Sequence, residues 1–331
     1  MQHNTLRWAL VCSSVLVLMG LSVQLTSRAG EKAPNIVQPR NGVANFCRDL
    51  VNSLKMERIA GRRKILFFGH HFLYAPKEYT PAPHLILQPA EAQGKKYAFG
   101  PSLCYYLDHE LVPGSAVSRQ TSTTDTPSWY GAMPIKSPGI LLRTSGGFPP
   151  DTQLVVLDFA NNDRGLSEAT VCAGLEGMLR QIWEVYPEAD VLFLYTPSRA
   201  FLNDYRSGHE PESIRWHEQV AAHYRLPSVN LAKFIADKII AEELKEDDVF
   251  LGENVVSDAA DALCLAAAKP LFQAGLAAAK DAPAMAKRAA PIPLSRDPID
   301  KPKIEWYGAA KSEPGWLDWW RNGFSSTTPT C

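Results

Sequence analysis

Three short apolar runs, far apart in the chain and separated by helix-length segments, constrain the fold more than any other feature. Residues 65–68 and 191–195 are continuously apolar rather than alternating, and 153–159 is so except at Gln153 and Asp158. Strands read this way when both faces are covered. After the second run, Val171, Leu175, Met178, Leu179, Ile182 and Val185 recur at helical spacing, and Pro187 ends the pattern. A short fourth strand is predicted over 227–230, between helices over 213–224 and 231–244. Further helices are predicted over 45–59, 100–111 and 258–280, the last either continuous or divided near Pro270. Residues 74–96 read mostly as loop and 112–137 as turn-rich. Strands alternating with helices of this length predict an α/β domain whose parallel sheet is covered on both faces.

The remaining segments are read differently. The 331 residues suffice for one sizeable core. A net charge of -1 gives no electrostatic reason to expect a nucleic-acid partner. Residues 1–29 form a targeting segment in which 8–25 carry no charge and Ser27-Arg28-Ala29 offers a cleavage site. A cleaved signal peptide and a retained signal anchor both stay open, and both export the remainder. The protein is therefore expected to be secreted or periplasmic, or held at a membrane by this segment. Residues 30–61 read as linker and helix, 62–280 as the main domain, and 281–331 as a Pro/Trp-rich extension. That extension holds Trp306, Tyr307, Trp316, Trp319, Trp320 and Phe324, and is expected to pack on the domain. An aromatic platform for a sugar or partner is the alternative. Cys47, Cys104, Cys172, Cys264 and Cys331 would face an oxidising compartment; five is odd, and no spacing matches a zinc site. Cys104, Cys172 and Cys264 lie in apolar runs and read as buried thiols.

In open α/β proteins chemistry collects at the carboxyl ends of strands. The first strand runs into Gly69-His70-His71, the second into Ala160-Asn161-Asn162-Asp163. These are followed by His217-Glu-Gln-Val-Ala-Ala-His-Tyr-Arg-Leu-Pro-Ser-Val-Asn230, and then by Ser257-Asp258-Ala-Ala-Asp261. In this order the segments resemble the SGNH/GDSL hydrolases over about residues 62–280. The resemblance implies a three-layer, flavodoxin-like domain. It also implies ester hydrolysis at a Ser-His-Asp site, on acyl groups of lipid, carbohydrate or peptidoglycan.

Residue by residue, this chain departs from that pattern. At the family's Gly-Asp-Ser, Gly69 matches, but His70 and His71 stand at the Asp and Ser positions. The second motif's oxyanion glycine aligns with Arg119. Asn162-Asp163 match the third motif, with Asn162 as a side-chain oxyanion donor. The fourth motif's Asp and His fall on Gly252 and Val255, and Asp247, Asp248 and Glu253 nearby restore no histidine. A triad lacking nucleophile and base loses most of its rate enhancement. The expectation is a degenerate member that binds a small molecule, glycan or protein in the old cleft, without a cofactor. Two alternatives remain: an active esterase with relocated residues, such as His70 or His71 with Asp163, and a structural envelope protein. A metal on His70, His71 and Asp163 is disfavoured, because adjacent residues of an extended segment point to opposite sides. His109, His209, His217 and His223 are expected at the surface or on helix faces, and Ser115 lacks a nucleophile-elbow frame.

Overall fold

The computed structural model describes residues 36–55, 63–69, 99–123, 128, 152–253, 256–281, 290–296, 298, 304–305 and 325–326. At 53, 55, 63, 64, 118–123, 281, 304–305 and 325–326 it describes the backbone alone. Backbone contacts divide the chain into Met1–Pro34 and Asn35–Cys331. All described residues belong to the second unit, so residues 1–29 lie outside them, as do the tryptophans of the extension.

Five parallel strands carry the domain: β2 (Arg63–Gly69), β3 (Val117–Thr123), β4 (Thr152–Asp158), β5 (Asp190–Tyr195) and β6 (Ser228–Asn230). Their spatial order is β3-β2-β4-β5-β6, and the short antiparallel β1 (Val37–Gln38) closes the β6 edge. This is the flavodoxin-like order, with its switch point between β2 and β4. The apolar runs do what their composition requires. Ile65 and Phe67 of β2, with Leu154 and Val156 of β4, enter one core, while Leu66, Phe68, Val155 and Leu157 enter the other. Alternating side chains of a strand face opposite sides, so continuous apolarity covers both. The first core is completed by α1 (Ala44–Lys55), α2 (Phe99–Tyr105), α6 (Leu231–Ile240) and α8 (Asp258–Asp281). The second is completed by α3 (Glu168–Val185) and α5 (Glu212–His223). The three-layer α/β architecture expected from the sequence is the one observed.

Several elements differ from expectation. The turn-rich segment contains β3, and the linker contains β1. A helix, α4 (Arg199–Arg206), follows β5, with Ser198 Oγ accepting the Phe201 N–H at 3.2 Å as its cap. A shorter one, α7 (Glu246–Val249), precedes the loop into α8. The helix predicted over 100–111 is α2 followed by a π-helical turn, Tyr106–Leu111. Pro270 does not divide α8. Proline removes one helical hydrogen bond and displaces a carbonyl, yet core residues lie on both sides of it: Cys264 and Ala268 before, Leu271 and Phe272 after. By length and composition α8 would cross a membrane, but these residues place it in the domain core.

Helices α8 and α1 approach closely at Gly275. A Cβ there would lie 2.8 Å from Val43 Cγ2 and 3.2 Å from Cys47 Sγ. Alanine gains about 1 kcal/mol of helix propensity over glycine, and overpacking a filled interface costs about 1–3 kcal/mol. Gly275→Ala is expected to lose about 1 kcal/mol net, and Gly275→Val more, read from urea unfolding midpoints. An unchanged midpoint in Gly275→Val would place the helices farther apart.

Part of the C-terminal segment lies against α3 and α5. The Leu294 and Ser295 N–H groups donate to Glu176 Oε1 and Oε2 at 2.7 and 2.6 Å, and the Tyr224 hydroxyl donates to Oε1 at 2.9 Å. Arg180 donates to the Pro291 carbonyl and His223 Nε2 to that of Ile292. Glu176 is fully buried; its three donors compensate the lost hydration. Farther along, Ile304–Glu305 and Ser325–Ser326 pair as two short antiparallel strands, β7 and β8.

Cys47, Cys172 and Cys264 are buried thiols outside any disulfide, and Cys104 is half-buried; Cys331 lies outside the described residues. Burial pushes the Cys47 and Cys172 thiols up to about 12, so they stay protonated and unreactive.

Candidate functional site

The switch point between β2 and β4 brings Gly69 and Asp158, the last residues of their strands, side by side. Gly69 has φ +133°, and a Cβ on it would stand 2.0 Å from the Asp158 carbonyl oxygen. Only glycine fits, for reasons of both conformation and space. Asp158 is itself fully buried. Thr196, directly after β5, places its hydroxyl 3.1 and 3.0 Å from the two Asp158 carboxylate oxygens. This hydroxyl donates to a carboxylate at the carboxyl edge of the sheet.

Beyond β4 the chain turns tightly. The N–H groups of Asn162 and Asp163 both donate to the Phe159 carbonyl at 2.9 Å. The Asp163 carboxylate points inward and is fully buried. Its Oδ1 accepts the Ser128 N–H at 2.6 Å, and its Oδ2 accepts from His217 Nε2 at 2.7 Å. His217, on α5, is also fully buried, with its ring set edge-on to Phe193 and Tyr195 of β5. His217 thus lies on a helix face, one of the two placements expected, and that face is the buried one. Among the described residues its Nδ1 has no hydrogen-bond partner, nor has Ser128 Oγ. Asn162 is half-buried, and its buried Oδ1 likewise has no partner among the described residues.

The loop corresponding to the fourth motif is fixed to the start of α4. Phe250 and Val256 pair in an antiparallel bridge around it. The Arg199 N–H donates to the Glu253 carbonyl at 3.0 Å. The Arg199 guanidinium reaches Glu246, the Phe250 carbonyl at 3.2 Å and the Phe250 ring. Gly252 is half-buried within this loop, while Glu253 and Asp247 are exposed. Just beyond, Asp261 in the first turns of α8 is buried, and burial followed by Asp258 raises its carboxyl to about 8.

Of the residues singled out from sequence, Gly69, Asn162 and Asp163 lie at the carboxyl ends of β2 and β4. His70, His71 and Val255 lie outside the described residues. Arg119 needs correction: it pairs with Ile65, four residues before Gly69, and Thr123 is the β3 residue level with Gly69. Four strand residues span about 13 Å, too far for an oxyanion-loop backbone N–H at position 119. Among the described residues no group of three or more His, Cys, Asp or Glu is placed to hold a metal. Ser115 does have an acidic neighbour, since its Oγ lies 3.4 Å from Asp108 Oδ1. That pair precedes β3, at the opposite end of the sheet, and Asp108 stands between Ser115 and His109 (3.8 Å from its Nδ1). Among the described residues no histidine hydrogen-bonds to the hydroxyl there, as a serine nucleophile's usual base would. Asp158, Thr196 and His217 were not anticipated as part of the site. For His217 a signal existed, because Ile214, His217 and Val220 share one helix face.

No protein-family model matches the chain, and no curated protein sequence does. Solved structures do. A two-domain esterase active on acetylated mannans superposes with TM-score 0.57 at 16% identity, over 82% of this chain and 65% of that one. The form of a two-domain esterase active on acetylated mannans that was co-crystallized with mannopentaose gives 0.53 at 16% identity, over 83% and 64%. This chain thus spans slightly less than two thirds of the length of those esterases. A lipolytic G-D-S-L family member from Veillonella parvula superposes more loosely, with TM-score 0.39 at 15% identity, over 63% of this chain and 98% of that one. The strand order and the esterase superpositions agree on the fold alone: the chain has an SGNH-hydrolase-like three-layer α/β fold.

Proposed function

We propose that this is an exported, catalytically degenerate hydrolase-like protein that binds an acylated carbohydrate at the carboxyl ends of β2 and β4. The single observation carrying this reading is that the strand delivering the family's serine here delivers Gly69-His70-His71, with no hydroxyl. The replacement of the family's base by Val255 supports it. So does the position of Asp163, whose two oxygens are taken by buried donors. A carboxylate enclosed in this way is a poor partner for a relocated His70 or His71 base. Asn162 is the polar side chain left to meet a ligand carbonyl. Acylated carbohydrate is the ligand class because the superposing esterase acts on acetylated mannans. The uncharged N-terminal run over residues 8–25 supports export.

The test uses the full chain. A serine-directed fluorophosphonate probe is expected to leave it unlabelled, and a panel of acetyl esters to remain unhydrolysed. Acetylated mannan is expected to bind in calorimetry, and de-acetylated mannan to bind at least about tenfold more weakly. Labelling that vanishes in one Ser→Ala variant, or turnover that vanishes in His71→Ala, would overturn the reading.

A further inference from the structure

We propose that His217 is the positioning residue for Asn162, acting through Asp163; this rests on the reading that Asn162 faces the ligand. The turn from Phe159 to Asp163 is short and closed on one carbonyl, so its residues move together. The Asn162 side chain makes no hydrogen bond among the described residues, and its Oδ1 is buried without one. Nothing on Asn162 itself therefore fixes where its amide points. What fixes the turn is the next residue. Asp163 is gripped from one side by the Ser128 N–H and from the other by His217 Nε2. The Ser128 contact comes from backbone, which any residue there would supply. The His217 contact depends on one side chain.

That side chain is in turn held by the body of the fold. It rises from the middle of α5 and stands against the ring edges of Phe193 and Tyr195 on β5. The pair thus ties the ligand-facing turn after β4 to a helix and a strand that do not border Gly69. An apolar residue of similar size would fill the space but leave a buried carboxylate one donor short. Such a carboxylate is expected to draw in water or turn outward, carrying Asn162 with it. A side-chain amide at 217 places a donor near the position of Nε2.

Two substitutions in the full chain separate positioning from packing. Selective ¹⁵N labelling of asparagine gives a side-chain N–H pair for Asn162, assigned by its loss in Asn162→Ser. His217→Leu is expected to shift or broaden this pair while circular dichroism stays unchanged. It is also expected to weaken acetylated-mannan binding by about tenfold or more, the worth of one hydrogen bond to a charged group. His217→Gln is expected to restore the Asn162 signal and bring binding to within about threefold of wild type. A folded His217→Leu with the wild-type Asn162 signal overturns the proposal. So does a folded His217→Gln whose Asn162 signal is lost, and should the leucine variant fail to fold, the glutamine variant decides alone. If the wild-type chain binds no acetylated mannan, the functional reading fails, while the Asn162 resonance still decides the role of His217.

Discussion

Gly69→Ala is expected to be the most damaging single-methyl change in the described sheet, costing more than about 4 kcal/mol and leaving little folded protein. The added Cβ would stand 2.0 Å from the Asp158 carbonyl oxygen, 2.5 Å from its carbonyl carbon and 3.0 Å from its Cα. All three are backbone atoms of the central strand β4, so no side chain can swing aside. Relief requires β2 and β4 to separate at the switch point, which breaks the ladder where both cores meet the sheet. The φ of +133° adds conformational strain for any residue with a Cβ. Gly165 and Gly208 provide the control. Both have positive φ, at +82° and +77°, but an added Cβ meets nothing within 4 Å. Their alanine variants are expected to lose only about 1 kcal/mol. Soluble yield and guanidinium unfolding midpoints distinguish the cases. A Gly69→Ala midpoint matching that of Gly165→Ala would mean that the strand ends do not touch as described.

The parts of the fold that could be read from sequence are those where burial forces composition. Strands β2, β4 and β5 are enclosed on both faces along their middles, which had to be apolar. β3, Val-Ser-Arg-Gln-Thr-Ser-Thr, lies at the sheet edge and, among the described residues, pairs with β2 alone. Backbone hydrogen bonds carry that pairing and leave no apolar signature. Arg119 was consequently assigned to a loop and to the oxyanion site, whereas it lies within a strand. The helix α4 was missed because its eight residues are too short for periodicity to accumulate. Its Ser198 cap was the better signal. At the site, Gly69, Asn162 and Asp163 were located by motif order, but the buried state of Asp163 was not. Its partner, His217, lies 54 residues away in sequence, a pairing that no local pattern encodes. Asp158 was hidden for the opposite reason: it stands inside a run read as a buried strand, and its role shows only once Thr196 is seen beside it.

Asp261→Asn is expected to change the pH dependence of stability, with its full effect reached near pH 8. The Asp261 carboxyl is raised from 3.8 to about 8, first by burial and second by the charge of Asp258. Its place in the first turns of α8 opposes this, since the helix dipole favours an ionised acid by up to about 1 kcal/mol, too little to reverse burial. The folded protein therefore keeps this proton to about pH 8, whereas the unfolded chain releases it near pH 4. Between those limits unfolding releases a proton, and the contribution to stability declines as pH rises. It is complete below about pH 4, lost through about pH 8, and constant above. The decline is at most about 1.4 kcal/mol per pH unit and totals a few kcal/mol. Asparagine has the same shape and no proton to lose, so its variant should lack this slope. Any cost of its amide in that apolar site is independent of pH. The difference in thermal midpoint between variant and wild type is expected to move in the variant's favour by several degrees from pH 5 to pH 8. Asp258→Asn should produce part of the same change, because it removes the second cause and leaves the first. Melting curves of wild type and Asp261→Asn that stay parallel across this range would show that Asp261 ionises within the fold at an ordinary carboxylate pH.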